Sequence, residues 1–139
     1  MSLVLDSSVA LAWIFTDERS DATKEVLDLV TGSGAWVPSI WHLEVANSLQ
    51  QGVRRRRLSS VERDASLADL AVLDIAVDPE TTAHAWSTTL ELAERFGLTV
   101  YDAAYLDLAH RRRLPLATLD VELRSAGKNL GVRLLAPQS

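Results

Sequence analysis

Five short apolar runs alternate with longer segments of helical periodicity, and this alternation constrains the fold more than any other feature of the chain. The runs are Ser2 to Asp6, Ala35 to Pro38, Asp74 to Asp78, Leu114 to Thr118 and Arg133 to Ala136. Runs of this length suit buried strands. The intervening stretches are long enough for the helical crossovers that parallel neighbours require. The chain is therefore expected to be α/β, with a five-stranded, mainly parallel sheet covered by helices on both faces.

Acids stand where these strands hand over to helices. Asp6 ends the first run and precedes Ser7-Ser8 and an apolar helix from Val9 to Phe15. Asp120 follows the fourth run and opens a helix from Val121 to Leu130, closed by Gly131. Glu44 lies among Ile, Trp, Leu, Val and Ala in a helix from Ile40 to Gln51. In open α/β sheets ligands collect outside the carboxyl ends of the strands, so carboxylates at these junctions face the functional crevice. Each has a plainer explanation as a cap or a solvated helix residue.

The stretch from Thr99 to Ala109 carries the fourth acid. Tyr101, Ala104, Tyr105, Leu108 and Ala109 follow the spacing of a helix buried along one face. Asp102 falls in its first turn, three residues after the N-cap candidate Thr99, an arrangement close to a capping box. Further on, Asp107 reads as a surface acid. Asp78-Pro79 reads as an N-cap followed by proline at the first position of a helical region reaching Phe96. Asp69, Glu80, Glu91 and Glu94 read as solvated helix faces, and Trp13, Trp36, Trp41 and Trp86 as core.

With 139 residues, of which 47% are hydrophobic, one domain with a sizeable core is expected over residues 1–139. No run of 18 apolar residues occurs, and the start lacks a basic region followed by a long apolar segment, so neither a membrane span nor a signal peptide is expected. A cytoplasmic location follows as an expectation. Absence of cysteine excludes disulfides, thiolate zinc sites and thiol nucleophiles. The net charge of −5 argues against a protein that coats nucleic acid. Twelve of the fourteen cations are nonetheless arginine, concentrated in the blocks Arg54 to Arg57 and Arg111 to Arg113.

Asp6, Glu44, Asp102 and Asp120 would be gathered by such a fold at one end of the sheet. Close carboxylates raise one another's pKa unless a cation neutralises them, and Mg²⁺ or Mn²⁺ suits an all-oxygen donor set. A phosphodiester would bridge a site of this kind. Competing chemistries lack their signatures. His42-Leu-Glu44 has no cysteines to complete a deaminase zinc site, and His42, His84 and His110 have no zinc spacing. No Gly-x-Ser-x-Gly elbow, Walker loop or Gly-x-Gly-x-x-Gly loop is present.

Four segments together resemble a PIN domain of the VapC toxin group. They are Leu3-Val-Leu-Asp6-Ser-Ser8, Pro38-Ser-Ile-Trp-His-Leu-Glu44-Val-Ala-Asn47, Tyr101 to Ala109, and Leu116-Ala-Thr-Leu-Asp120-Val-Glu-Leu123. The resemblance covers essentially the whole chain. It implies a small Mg²⁺- or Mn²⁺-dependent endoribonuclease with a five-stranded parallel sheet, usually dimeric and held inactive by a partner antitoxin of the VapB type. Asp6 and Asp102 would then be the principal metal ligands. Glu44 and Asp120 would complete the acidic pocket directly or through water. Ser7, Asn47 and Thr118 would support the ligands or the substrate. Arg54, Arg55, Arg56, Arg57, Arg111, Arg112 and Arg113 are candidate contacts to RNA phosphates by charge alone.

Two other readings stay open from the residues. One is a Mg²⁺-dependent phosphatase or phospho-acceptor domain, which normally pairs acids near the first strand and uses a lysine; here Asp6 is followed by serines and only Lys24 and Lys128 exist. The other is a PIN-like scaffold that binds RNA or protein without catalysis.

Overall fold

The structure, a computed structural model, describes residues 2–136. Met1 and Pro137 to Ser139, the ends of the expected domain, lie outside the described residues. Strand β1 (Leu3–Leu5) is followed by α1 (Ser7–Ile14), a 3₁₀ turn (Thr16–Glu18), α2 (Asp21–Ser33) and β2 (Ala35–Val37). Helices α3 (Trp41–Arg54) and α4 (Ser60–Ala71) lead to β3 (Ile75–Val77). Then come α5 (Thr81–Ala85), α6 (Thr88–Phe96), α7 (Val100–Arg112), β4 (Leu116–Ala117), α8 (Val121–Leu130) and β5 (Leu134–Leu135).

The five strands form one parallel sheet in the order β3-β2-β1-β4-β5. The chain therefore moves outward from β1 through β2 to β3, crosses back over β1 to β4, and continues to β5. With right-handed crossovers, opposite directions of travel put the helices on opposite faces. The packing agrees: α1 lies against α2 and α3, and α3 against α4, whereas α7 lies against α5, α6 and α8. Between β1 and β4 the direction reverses, which is where open α/β sheets open a crevice.

Local chemistry explains the boundaries. Ser20 and Ser59 start α2 and α4 with reciprocal capping boxes to Thr23 and Glu62. Gly34 ends α2 at φ +74°, and a Cβ there would lie 2.9 Å from the Asp74 carbonyl oxygen, so the turn into β2 admits only glycine without displacement. The core runs along the sheet through Leu3, Leu5, Leu49, Leu106, Leu108, Leu116 and Leu123, all essentially inaccessible. Burial of each such side chain contributes about 1.5–3 kcal/mol.

Four expectations need correction. Helix α7 is buried continuously from Ala103 to Ala109 rather than along one face, because β1 and three helices surround it, while Tyr101 is 63% exposed. Asp107 is consequently buried, not on the surface. The helical region after Pro79 breaks at Trp86-Ser87 into α5 and α6, and Trp86 is 93% exposed instead of in the core. Asp78 does not cap a helix at Pro79. Helix α5 begins at Thr81 with Glu80 before it, and Asp78 is buried beneath two arginines.

Candidate active site

Asp6 leaves the sheet at the carboxyl end of β1, its backbone N–H donating to the Ala117 carbonyl of β4 at 3.0 Å. Its side chain sits in the switch point and the residue is only 4% exposed. Oδ2 accepts hydroxyl protons from Ser8 at 2.6 Å and Thr118 at 2.8 Å. Those hydroxyls in turn accept the Leu119 and Asp120 backbone N–H groups, at 3.0 and 3.1 Å. A hydroxyl has one proton, so accepting from the loop aims that proton at Asp6. Burial pushes the Asp6 carboxyl up to about 6, against the two hydroxyl bonds, with Asp102 and Glu44 adding their negative fields.

Glu44 stands in the first turn of α3, half-buried, where Tyr105 donates its hydroxyl to Oε1. Burial raises its pKa, the Tyr105 bond opposes the rise, and the field of Asp102 adds to it. Asp102 occupies the first turn of α7, and its backbone N–H donates to Thr99 Oγ1 at 3.1 Å. Its pKa is raised by burial and then by the field of Asp120, with a smaller contribution from Glu122. Asp120 is itself the N-cap of α8, accepting the Leu123 N–H at 2.8 Å.

Four acids thus feel one another: Asp6 with Asp102 and Glu44, Glu44 with Asp102, and Asp102 with Asp120. Among the described residues no three His, Asp or Glu side chains form a ready-made metal cluster. A divalent cation that keeps several waters needs only one or two direct carboxylates, and Mg²⁺ behaves in that way. Three partly or fully buried carboxylates, each held above its ordinary pKa by the same burial and mutual repulsion, therefore fit such an ion better than they fit solvent.

The PIN domain profile matches residues 3–129. The chain belongs to the PIN domain family. Among individual proteins, it is 32% identical over 123 residues to Ribonuclease VapC3 of Pyrobaculum aerophilum, covering 88% of this chain and 92% of that protein. Its fold is similar to that of PAE2754 from Pyrobaculum aerophilum, with a TM-score of 0.69 at 23% identity over 96% of this chain and 92% of that one. It is also similar to VapBC2 from Rickettsia felis, solved bound to a DNA fragment from their promoter, at a TM-score of 0.66, 14% identity, and 96% and 97% coverage. FitAcB from Neisseria gonorrhoeae matches at a TM-score of 0.62, 18% identity, and 96% of each chain.

Around this PIN-domain crevice the structure adds three residues that sequence spacing does not single out. Ser8 rather than Ser7 holds Asp6; Asp-Ser-Ser offers two hydroxyls, and only the turn of α1 selects between them. Ser7 instead hydrogen-bonds the phenol of Tyr105. Tyr105 has the spacing of a core residue and is one, being fully buried, yet its hydroxyl ends on Glu44. Glu122 extends the acidic field from the first turn of α8. Asn47 is exposed on α3.

The two arginine blocks of the PIN domain divide by environment. Arg54, Arg55 and Arg56 are exposed at the end of α3, as is Arg113 at the end of α7. Arg57 lies 4.1 Å over the Phe15 ring and pairs with Asp17 and Glu18. Arg111 binds Asp78, Asp107 and, at the edge of reach, Glu80. Arg112 binds Asp78 and stacks 3.8 Å over Trp36. Arg57, Arg111 and Arg112 thus have internal carboxylate and aromatic partners.

Proposed function

We propose that this PIN domain is a divalent-metal-dependent endoribonuclease acting as the toxin of a VapC-type toxin–antitoxin pair. The observation that carries the reading is the set of acids at the β1/β4 switch point, with Asp6, Glu44 and Asp102 each held above its ordinary pKa. Kinship to a VapC ribonuclease along most of the chain supports RNA as the substrate.

Asp6 and Asp102 are the residues assigned to hold Mg²⁺ or Mn²⁺, with Glu44 and Asp120 reaching it directly or through water. Bound there, the ion would polarise the phosphoryl oxygen and acidify water for in-line attack. Ser8 and Thr118 keep Asp6 aimed into the crevice, and Thr99 fixes the start of α7 beneath Asp102. Glu44, half-buried with Oε1 held by the Tyr105 hydroxyl, would offer its other oxygen to the ion or to one of its waters. The exposed Arg54, Arg55, Arg56 and Arg113 are assigned to RNA phosphates.

The partner in this reading is a VapB-type antitoxin that covers the acidic crevice and presents an Arg or Lys to the carboxylates. The toxin acts as a homodimer in the cytoplasm, and among the described residues no helix is long and apolar enough to cross a membrane. A complex with its crevice open to bulk solvent would contradict the antitoxin part.

The test is incubation of purified, antitoxin-free protein with total cellular RNA and Mn²⁺, mapping every new 5′ end beside EDTA and Asp102→Asn controls. Cuts that require metal and vanish with Asp102→Asn are expected. Folded protein that leaves no mutation-sensitive cut would refute the nuclease and favour a binding scaffold.

A further inference from the structure

Glu44 presents a physical problem that its own helix does not solve. It is half-buried, it is repelled by Asp102, and a glutamate side chain has enough torsions to swing its carboxylate away into water. A carboxylate left to relax would move out of the crevice whenever no cation holds it there. One hydrogen bond opposes this: the Tyr105 hydroxyl donates to Oε1 across 61 residues of sequence.

We infer that Tyr105 is the positioning residue for Glu44, pinning one carboxylate oxygen so that the other stays directed at the acidic crevice before any cation arrives. This rests on the nuclease reading of the site. Tyr105 is fully buried, so no water competes for its proton and the ring cannot follow a departing carboxylate. It lies three residues after Asp102 on α7, so the same helix turn that presents one acid fixes the position of another on α3. Ser7, at the start of α1, hydrogen-bonds the phenol. The phenol is thereby held from three elements at once: α1, α3 and α7.

A phenol keeps its proton at neutral pH, so Tyr105 stands as a donor to Glu44 Oε1. A donor of this kind acts on metal ligands as outer partners do in general. It costs nothing at the moment of binding, and its removal typically lowers metal affinity or activity about 10–100-fold.

The experiment is a double-mutant cycle with wild type, Tyr105→Phe, Glu44→Ala and the double variant. Two quantities are read: Mn²⁺ affinity by calorimetry, and kcat and KM for cleavage at the strongest new 5′ end found in total RNA. Tyr105→Phe is expected to weaken Mn²⁺ binding about tenfold and to lower kcat about tenfold with KM little changed. In the Glu44→Ala background the same substitution should change either quantity less than about twofold.

Equal losses in both backgrounds, or none in either, would overturn the assignment, since the hydroxyl would then act through packing or not at all. A Tyr105→Phe protein that no longer folds would overturn it as well, because the hydroxyl would be holding the core. Wild-type protein that neither binds Mn²⁺ nor cuts RNA would overturn the nuclease reading and this assignment together. An active wild type beside an unaltered Tyr105→Phe variant would overturn this assignment alone.

Discussion

Nη2 of Arg111 lies 2.7 Å from Oδ2 of Asp78, while Nε of the same guanidinium lies 2.8 Å from Oδ2 of Asp107. One planar fork serves two buried carboxylates, one in its own helix and one beyond the end of β3. Burial opposes ionisation of Asp78, but donation from Arg111, from the Glu80 N–H and from Arg112 holds its pKa below the usual range. The last turn of α7 is thereby anchored at the sheet edge, and its first turn presents Asp102.

Removing that guanidinium would leave Asp107 buried without its ion-pair partner and Asp78 with Arg112 alone. Arg111→Ala is expected to destabilise the protein by about 3–5 kcal/mol in urea unfolding, and Arg111→Lys by less, since an ammonium cannot span both acids in the same geometry. If Arg111 instead served RNA, the effect would fall on KM with stability unchanged.

Asp6 sets a pH dependence of opposite sign to that of an ion-paired acid. Its folded pKa of about 6 exceeds the ordinary aspartate value of 3.8, so the folded state holds the proton more tightly. Stability of the metal-free protein should therefore fall as pH rises from about 4 to about 6, by about 3 kcal/mol in all from this group, and stay reduced above that window. Asp78, with its lowered pKa, contributes the reverse: its stabilisation is present above the ordinary aspartate pKa and lost as pH falls through its folded value. Asp6→Asn should flatten the first slope and raise stability at neutral pH in EDTA. Mn²⁺ should restore stability to wild type but not to the variant, both read by unfolding at a series of pH values.

Asp102→Asn separates chemistry from folding. The Asp102 backbone N–H donates to Thr99 Oγ1 whatever the side chain, and an Asn side chain can still meet the Thr99 hydroxyl that the carboxylate now meets, so the helix start is expected to survive the substitution. Cleavage is expected to drop at least about a hundredfold with melting temperature unchanged or slightly raised, since a repelled charge has been removed. Parallel loss of fold would show that the carboxylate is structural.

The exposed arginines predict a salt effect. Charge removal at Arg54, Arg55 or Arg56 should lessen the slope of log K for RNA against log salt by about 0.7 for each phosphate no longer neutralised. Arg57→Gln, next in sequence but engaged by Phe15, Asp17 and Glu18, should leave that slope alone. Uniform behaviour of all four would mean that the block acts only through net charge.

The succession of strands and helices, and with it the end of the sheet where Asp6 and Asp120 fall, was legible because apolar runs of strand length ending in acids have few other uses. Outside the region that breaks at Trp86-Ser87, the strand and helix boundaries shifted by only a few residues, since Thr99, Asp120 and Gly131 mark helix ends by backbone chemistry that is local. Burial of Asp78 and Asp107 was not legible, because it depends on one arginine, Arg111, 33 residues from the first and 4 from the second, meeting both acids. The i,i+4 pair Asp107–Arg111 was visible in sequence, but nothing local says that other elements close over it. Ser8 and Tyr105 were hidden for a related reason: serine pairs and helix-face tyrosines are common, and only the meeting of α1, α3 and α7 makes these two matter.

Thr118, which aims the central acid of the site, enters the chain 112 residues after that acid. A ribosome-bound chain that has not yet reached β4 has no Thr118 to orient Asp6, no Asp120 to stand near Asp102 and no fourth strand beside β1. On the nuclease reading, an enzyme arranged in this order cannot complete its acidic site until β4 and the start of α8 have been translated.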